Sequence, residues 1–209
     1  MSEQYKFAYL GGTGEIVEKK SRFIATVEPV HSEEEALAFV ERTKKQYWDA
    51  RHNCSAYILR EGGIKRFSDD GEPQGTAGMP ILDVLEKSEV TDVCVVITQY
   101  FGGILLGAGG LVRAYSHSAT LALEAGEVIT MVKCAQCELT CDYTLYGRIP
   151  ALIAEHDGKE TGTDFTDNVT VRFTLPEDNV APFQAKLTEL SSGKYQVSVT
   201  GNDFFEMDL

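Results

Sequence analysis

The chain has 209 residues, 43% of them hydrophobic and 24% charged, a globular balance that excludes a disordered or collagen-like polypeptide. A formal charge of −13, from 19 basic and 32 acidic residues, repels polyanions at long range and disfavours broad, non-specific nucleic-acid binding. No stretch reaches the roughly 18 apolar residues of a membrane span, the opening residues lack the order of a secretory signal, and the five cysteines show no short repeated spacing, so a cytoplasmic protein with reduced thiols and no membrane partner is expected.

Residues 15–30 mix β-branched and charged residues with period two and predict a strand or hairpin. Ser32 followed by Glu35 has the form of a capping box, and Ala36, Phe39, Val40, Thr43 and Tyr47 recur at helical spacing behind it. Asn53 to Leu59 reads as a strand, and residues 69–78, dense in Asp, Gly and Pro, as a loop. Pro80 then opens a helix that runs to about Lys87. Val93 to Tyr100 is an apolar run of the kind that forms a central strand buried on both faces. Two glycine clusters, Gly102 with Gly103 and Gly107 with Gly109 and Gly110, lead into a helix from about Leu111 to Leu123. On that helix Leu111, Tyr115, Ser118 and Ala122 share the core side, and Arg113, His117, Thr120 and Glu124 the opposite one.

From Lys133 the pattern restarts as strand, helix, strand, strand, helix, strand, the ferredoxin-like order. Cys137, Leu139 and Cys141 alternate with polar residues, and Leu145, Ile149, Leu152 and Ile153 mark a helix. Phe165 and Val169 to Leu175 supply strands. Pro176 opens a last helix stopped by Gly193, and Tyr195 to Thr200 closes the unit. The expectation is an α+β chain of two domains, residues 1–132 and 133–209. The first carries 13 basic against 19 acidic residues and the second 6 against 13, so neither is a basic module.

Three constellations carry candidate chemistry. In residues 100–115 a buried strand leads through glycines into a helix, and the unpaired N–H groups and positive dipole end of a helix N-terminus suit a phosphate or carboxylate. Arg113, read as lying in the first turn, strengthens that case, because a cation there opposes the helix dipole unless an anion compensates it. In residues 67–80, Asp69, Asp70 and Glu72 offer hard oxygen ligands for magnesium, and Thr76 between Gly75 and Gly78 lies in a loop able to hug a ligand. The same Asp-Asp-Gly sequence is also ordinary turn chemistry. Arg51 and His52 precede a strand, and His52 is a candidate acid or base, an unperturbed imidazole titrating at about 6.5. No serine or cysteine sits in a nucleophile motif. Cys134, Cys137 and Cys141 are one ligand short of a zinc site, and alternation sends the first two to opposite faces, so buried strand cysteines are the better reading.

KKSRFIATV at residues 19–27, RHNC at 51–54, DDGEPQGTAG at 69–78 and YFGGILLGAGGLVRAY at 100–115 together resemble the IMPACT family in its shorter bacterial form, over nearly the whole chain. The resemblance implies a first domain like the second domain of small-subunit ribosomal protein five and the fourth of elongation factor G, and a ferredoxin-like second domain like that factor's fifth. It therefore implies a translation-associated protein, and with the glycine loops and their basic neighbours it gives a binding surface for RNA or the ribosome of Arg51, His52, Thr76, Gly102, Gly103, Gly107, Gly109, Gly110 and Arg113. The larger eukaryotic members act through an additional N-terminal domain whose role is not carried over. One departure is Gln99, where the family commonly has arginine before Tyr-Phe-Gly-Gly, which removes a cation from the edge of the anion site. The alternatives are an enzyme or sensor for a small phosphorylated ligand, with magnesium held by Asp69, Asp70 and Glu72, or a protein-interaction module.

Overall fold

The structure, a computed structural model, describes residues 3–207. They form two compact units, one of Tyr5–Ile129 and one of Thr130 onward joined by the residues before Tyr5.

In the first unit, β2 (Gly12–Glu18) and β3 (Ser21–Pro29) form the expected hairpin. α1 (Glu33–Gln46) follows, then β4 (His52–Leu59), β5 (Ile64–Ser68), α2 (Gly78–Lys87), β6 (Val93–Tyr100) and α3 (Ala108–Ala125). The sheet order is β2-β3-β6-β4-β5, which puts the apolar β6 in the centre. Val93, Val95 and Ile97 face the core shared with α2 and α3, whereas Cys94 and Val96 face the core shared with α1. Burial on both faces is why β6 lacks polar alternation, and truncating Ile97 to alanine there would cost about 2–5 kcal/mol.

α1 begins as its sequence predicts, with Ser32 Oγ accepting from the Glu35 N–H at 3.1 Å. The returning carboxylate takes the His31 N–H at 2.6 Å rather than that of Ser32. β5 is absent from the sequence reading because it is a short edge strand with Lys65, Arg66, Phe67 and Ser68 all exposed, and charge on an edge is a device against further pairing rather than a strand signal. α3 starts three residues before Leu111, so Gly109 and Gly110 belong to its first turn and Arg113 to its second. Its buried side is Ala114, Tyr115, Ser118, Ala119, Ala122 and Leu123, with Arg113, His117, Thr120 and Glu124 exposed as expected.

The second unit runs β7 (Val128–Cys141), α4 (Tyr143–Tyr146), α5 (Ile149–Glu155), β8 (Lys159–Phe165), β9 (Val169–Pro176), α6 (Val180–Ser191) and β10 (Ser198–Glu206). The antiparallel order β10-β7-β9-β8 is ferredoxin-like, and β1 (Gln4–Ala8), which like β7 crosses the division between the units, pairs with β7. Cys137, Leu139 and Cys141 pack with Ile149, Ile153, Phe173 and Phe183 in its core.

Three local readings change. The first helix is broken at Gly147–Arg148 into α4 and α5, with Asp142 capping α4 through the Leu145 N–H at 2.9 Å. Pro176 ends β9, and a short 3-10 turn, Glu177–Asn179, intervenes before α6. The closing strand begins at Ser198 because the backbone before it bonds the Gln184 side chain, whose Nε2 donates to the Tyr195 carbonyl at 3.3 Å and whose Oε1 accepts from the Val197 N–H at 2.8 Å. The boundary drawn at residue 132 falls inside β7, a continuous 14-residue strand with no linker composition to mark the division. All five cysteines are free and buried, and burial pushes their thiols up.

Candidate functional site

Pairing of β4 with β6 sets His52 directly opposite Gln99, and the Arg51 N–H donates to the Gln99 carbonyl at 3.1 Å. His52 and Gln99 lie two residues from Cys54 and Ile97, so both occupy the face of the sheet covered by α2 and α3. There they border a cleft of about 400 Å³, completed by Glu72 of the acidic loop, Phe101 just beyond β6, and Gly107 with the residues around it. A cleft of this size admits a small molecule or a single nucleotide.

The roof of the cleft is the start of α3. Gly107 is its N-cap at φ 73°, a conformation glycine adopts without strain, and no side chain caps the helix. The first intrahelical bond is from the Leu111 N–H to the Gly107 carbonyl at 2.9 Å, so the N–H groups of Ala108, Gly109 and Gly110 precede the ladder. No acidic residue stands in this first turn. The other two long helices of the unit are compensated. α1 has Ser32 and Glu33, Glu34 and Glu35, while α2 receives the Asp69 carboxylate, whose Oδ1 accepts from Ala77 at 3.1 Å and Gly78 at 2.7 Å. α3 alone of the three leaves its positive end open to the cleft.

The side of the cleft holds a polar relay. His52 Nδ1 lies 2.8 Å from the Asp70 carbonyl, which only accepts, so this nitrogen carries the proton. Nε2 then stands 3.9 Å from Glu72 Oε2. Glu72 Oε1 accepts from the Tyr115 hydroxyl at 2.9 Å, and that hydroxyl lies 3.4 Å from Cys54 Sγ. Burial, with Cys54 and Glu72 beside it, pushes the Tyr115 phenol far above its usual range, so it remains a donor. At the rim the Arg51 guanidinium sits over the Phe101 ring, 5.4 Å from its centre, offering a cation and a flat surface together.

Of the residues singled out from sequence, Arg51, His52, Glu72 and Gly107 border one cleft. Gly109 and Gly110 form the first turn of α3. Arg113 does not join the cleft. It borders a neighbouring cavity of about 350 Å³ with Lys19 and His117, and the two cavities share Leu106. Its guanidinium still reaches back along the helix, since a Cβ placed on Gly109 would stand 3.7 Å from Arg113 Nη1. Gly102 is structural, as a Cβ there would fall 2.0 Å from the Lys20 backbone. Gly103 lies in the exposed turn after it. Thr76 is buried and spends its hydroxyl on the Pro73 carbonyl at 2.6 Å.

The three carboxylates proposed for magnesium are each engaged by protein donors. Asp69 holds the three N–H groups of Gly75, Ala77 and Gly78, and Asp70 holds Lys44 at 2.8 Å and the Asn53 N–H at 2.7 Å. Glu72 holds Tyr115. Among the described residues no group of three or more His, Cys, Asp or Glu is arranged to hold a metal ion. The cleft also contains Phe101 as a ring surface, which the sequence reading missed, and Gln99, read there only as a lost cation and here a buried polar group. The strand pairing that sets Gln99 beside His52 could have been anticipated only from the register of β4 against β6.

Residues 19–123 match the Impact N-terminal domain, and residues 139–194 match a domain of unknown function, DUF1949. The chain is 41% identical over 187 residues to the IMPACT family member YvyE of Bacillus subtilis, covering 89% of this chain and 86% of that one. It is 40% identical over 182 residues to the IMPACT family member YigZ of Escherichia coli, covering 86% and 89%. A crystal structure described as that of an hypothetical protein, 37% identical, matches 96% of this chain and 99% of its own with a TM-score of 0.59. No helix among the described residues is long and apolar enough to cross a membrane. With both domain matches in order along the chain and relatives aligned over most of their length, the chain belongs to the IMPACT family.

Proposed function

We propose that this is a translation-associated binding protein of the cytoplasm, which docks RNA or a ribosomal surface through the face around Gly107. The observation that carries the reading is the uncapped, uncompensated N-terminus of α3, opening beside Arg51 in a chain whose net charge is otherwise −13. Such a chain binds polyanions only where a local device overcomes the global repulsion, and a helix end with unpaired N–H groups beside a guanidinium is such a device. Lys19 and Arg113 add two cations in the adjoining cavity, which Glu18 and His117 also line. The family resemblance to domains that work on the ribosome agrees with it.

The test is cosedimentation with purified ribosomes across a salt series. Binding at low salt that falls as salt rises, and that weakens for Arg51→Ala, is the expected result, because phosphate contacts release counterions. Protein that remains in the supernatant at low salt overturns the reading.

A second reading, an enzyme or sensor for a small phosphorylated ligand, is favoured by the size of the cleft and by the His52 to Glu72 pair at its side. A thermal-shift screen of phosphorylated metabolites, with and without magnesium, separates the two. Since the three acidic residues are already engaged, a shift independent of magnesium is expected, and no shift with any compound removes this reading.

A further inference from the structure

Gln99 is 3% exposed, and its Oε1 is buried without a hydrogen-bond partner. Alternation places its side chain with Ile97 and His52 on the face that borders the cleft. A buried amide oxygen left without a donor is unfavourable, and native chains rarely keep one unless something else supplies the donor. The same cleft is bordered by the start of α3, whose free N–H groups suit an anion, and by the Arg51 to Phe101 pair, which suits a flat ring.

We infer that the cleft is a nucleotide site selective for an amino-bearing base, with the phosphate on the N–H groups of Ala108, Gly109 and Gly110 and the exocyclic amino group of adenine or cytosine donating to Gln99 Oε1. The inference rests on the reading that this face binds phosphate, and adds to it which base the site accepts. Adenine and cytosine each present an amino donor where uracil presents an oxygen, and an oxygen facing Oε1 would leave two acceptors opposed. The ring stacks at the rim against the flat surface that Arg51 and Phe101 present together. The same chemistry is offered by a free mononucleotide and by an unpaired nucleotide of an RNA strand.

Titration calorimetry of the full chain at low salt, with AMP, CMP, UMP and adenosine, tests the assignment. AMP and CMP are expected to bind at least about tenfold more tightly than UMP, the equivalent of one hydrogen bond. Adenosine, lacking the phosphate, is expected to bind at least about tenfold more weakly than AMP. Gln99→Leu removes the orphaned acceptor while keeping a side chain of similar length. It is expected to melt no lower than the wild type and to lower AMP binding to the level of UMP. Ala108→Pro deletes one N–H at the first helical position, where proline is accepted, and Gly107 at ψ 165° is compatible with a following proline. It is expected to weaken AMP, CMP and UMP alike and to leave their order unchanged.

Equal affinity for AMP and UMP, no binding by any nucleotide, or an unchanged preference in Gln99→Leu overturns the inference. Hexaribonucleotides of A and of U distinguish the sources. A gain of about tenfold or more for the A hexamer over AMP identifies an RNA strand as the occupant, since further phosphates are then engaged, and equal affinities identify a free nucleotide. Ribosome cosedimentation keeps the two claims apart. Salt-sensitive binding retained without base preference sinks only the base reading, and base preference without ribosome binding sinks only the docking.

Discussion

Asp69 carries two readings in the sequence, a metal ligand and a turn residue that caps backbone, and its substitution separates them. Its carboxylate accepts from the backbone of Gly75 at 2.8 Å, Ala77 at 3.1 Å and Gly78 at 2.7 Å, so it caps α2 from eight residues before Ala77. Gly75 is exposed and its N–H regains water when the carboxylate is removed, whereas Ala77 and Gly78 are buried and theirs do not. Two buried donors losing a charged acceptor at about 1–2 kcal/mol each, together with lost dipole compensation of roughly 0.5 kcal/mol, put Asp69→Ala at about 3 kcal/mol. That is a large share of the roughly 5–15 kcal/mol that holds a domain folded. Asp69→Asn keeps an oxygen for Ala77 and Gly78 but turns an amide donor toward the Gly75 N–H, and should cost about 1–2 kcal/mol. Urea unfolding followed by far-ultraviolet circular dichroism reads both, with and without magnesium. A change under about 0.5 kcal/mol for Asp69→Ala, the usual size for an unremarkable surface site, would refute the capping role. Magnesium stabilisation present in the wild type and lost in the variant would identify the carboxylate as a metal ligand instead.

Other outcomes follow from the same geometry. The five buried thiols, pushed up by burial, with Cys137 at about 11, should be inert to a thiol reagent in the native protein and react after denaturation; fast native reaction of any would contradict their placement. The Leu145 N–H, then Tyr195 and Lys194, lower the Asp142 carboxyl from 3.8 to about 2. A depressed folded value stabilises the fold above the unfolded value and is lost as pH falls through the folded one. The stability gap between wild type and Asp142→Asn should therefore shrink between about pH 4 and pH 2, and a gap constant over that range would refute the assignment. Arg113→Ala should change stability by no more than about 0.5 kcal/mol, as an exposed residue outside the core, while reducing the salt dependence of ribosome cosedimentation by about one phosphate contact. An unaltered salt slope would leave the second cavity outside the docking surface.

The core was legible because burial leaves a strong trace. The apolar run of β6, the helical spacing of Ala36, Phe39, Val40 and Thr43, and the alternation of Cys137, Leu139 and Cys141 each follow from one side of an element meeting the interior. Edges and ends were less legible. β5 is charged and exposed, β7 passes the unit boundary without a break, and α3 begins among glycines that by propensity belong outside a helix. That last shift moved Arg113 from the first turn to the second and so out of the cleft. The site was legible only in part, because Arg51, His52 and Gly107 sit in recognisable local sequence, whereas Gln99 acquires its role through strand pairing with His52 and Phe101 through the Arg51 guanidinium over its ring. Gln99, read from sequence as the loss of a cation, is in the fold a buried residue bordering the cleft, its amide oxygen without a partner.

The central claim, that phosphate is held at the start of α3, is tested most directly by amide chemical-shift mapping on nitrogen-labelled protein titrated with an A-rich hexaribonucleotide at low salt. The largest shifts are expected at the backbone N–H groups of Ala108, Gly109 and Gly110, accompanied by the Gln99 side-chain amide and His52, all saturating together. Shifts confined to Lys19, Arg113 and His117, or absent from Ala108 to Gly110 at saturation, would contradict it.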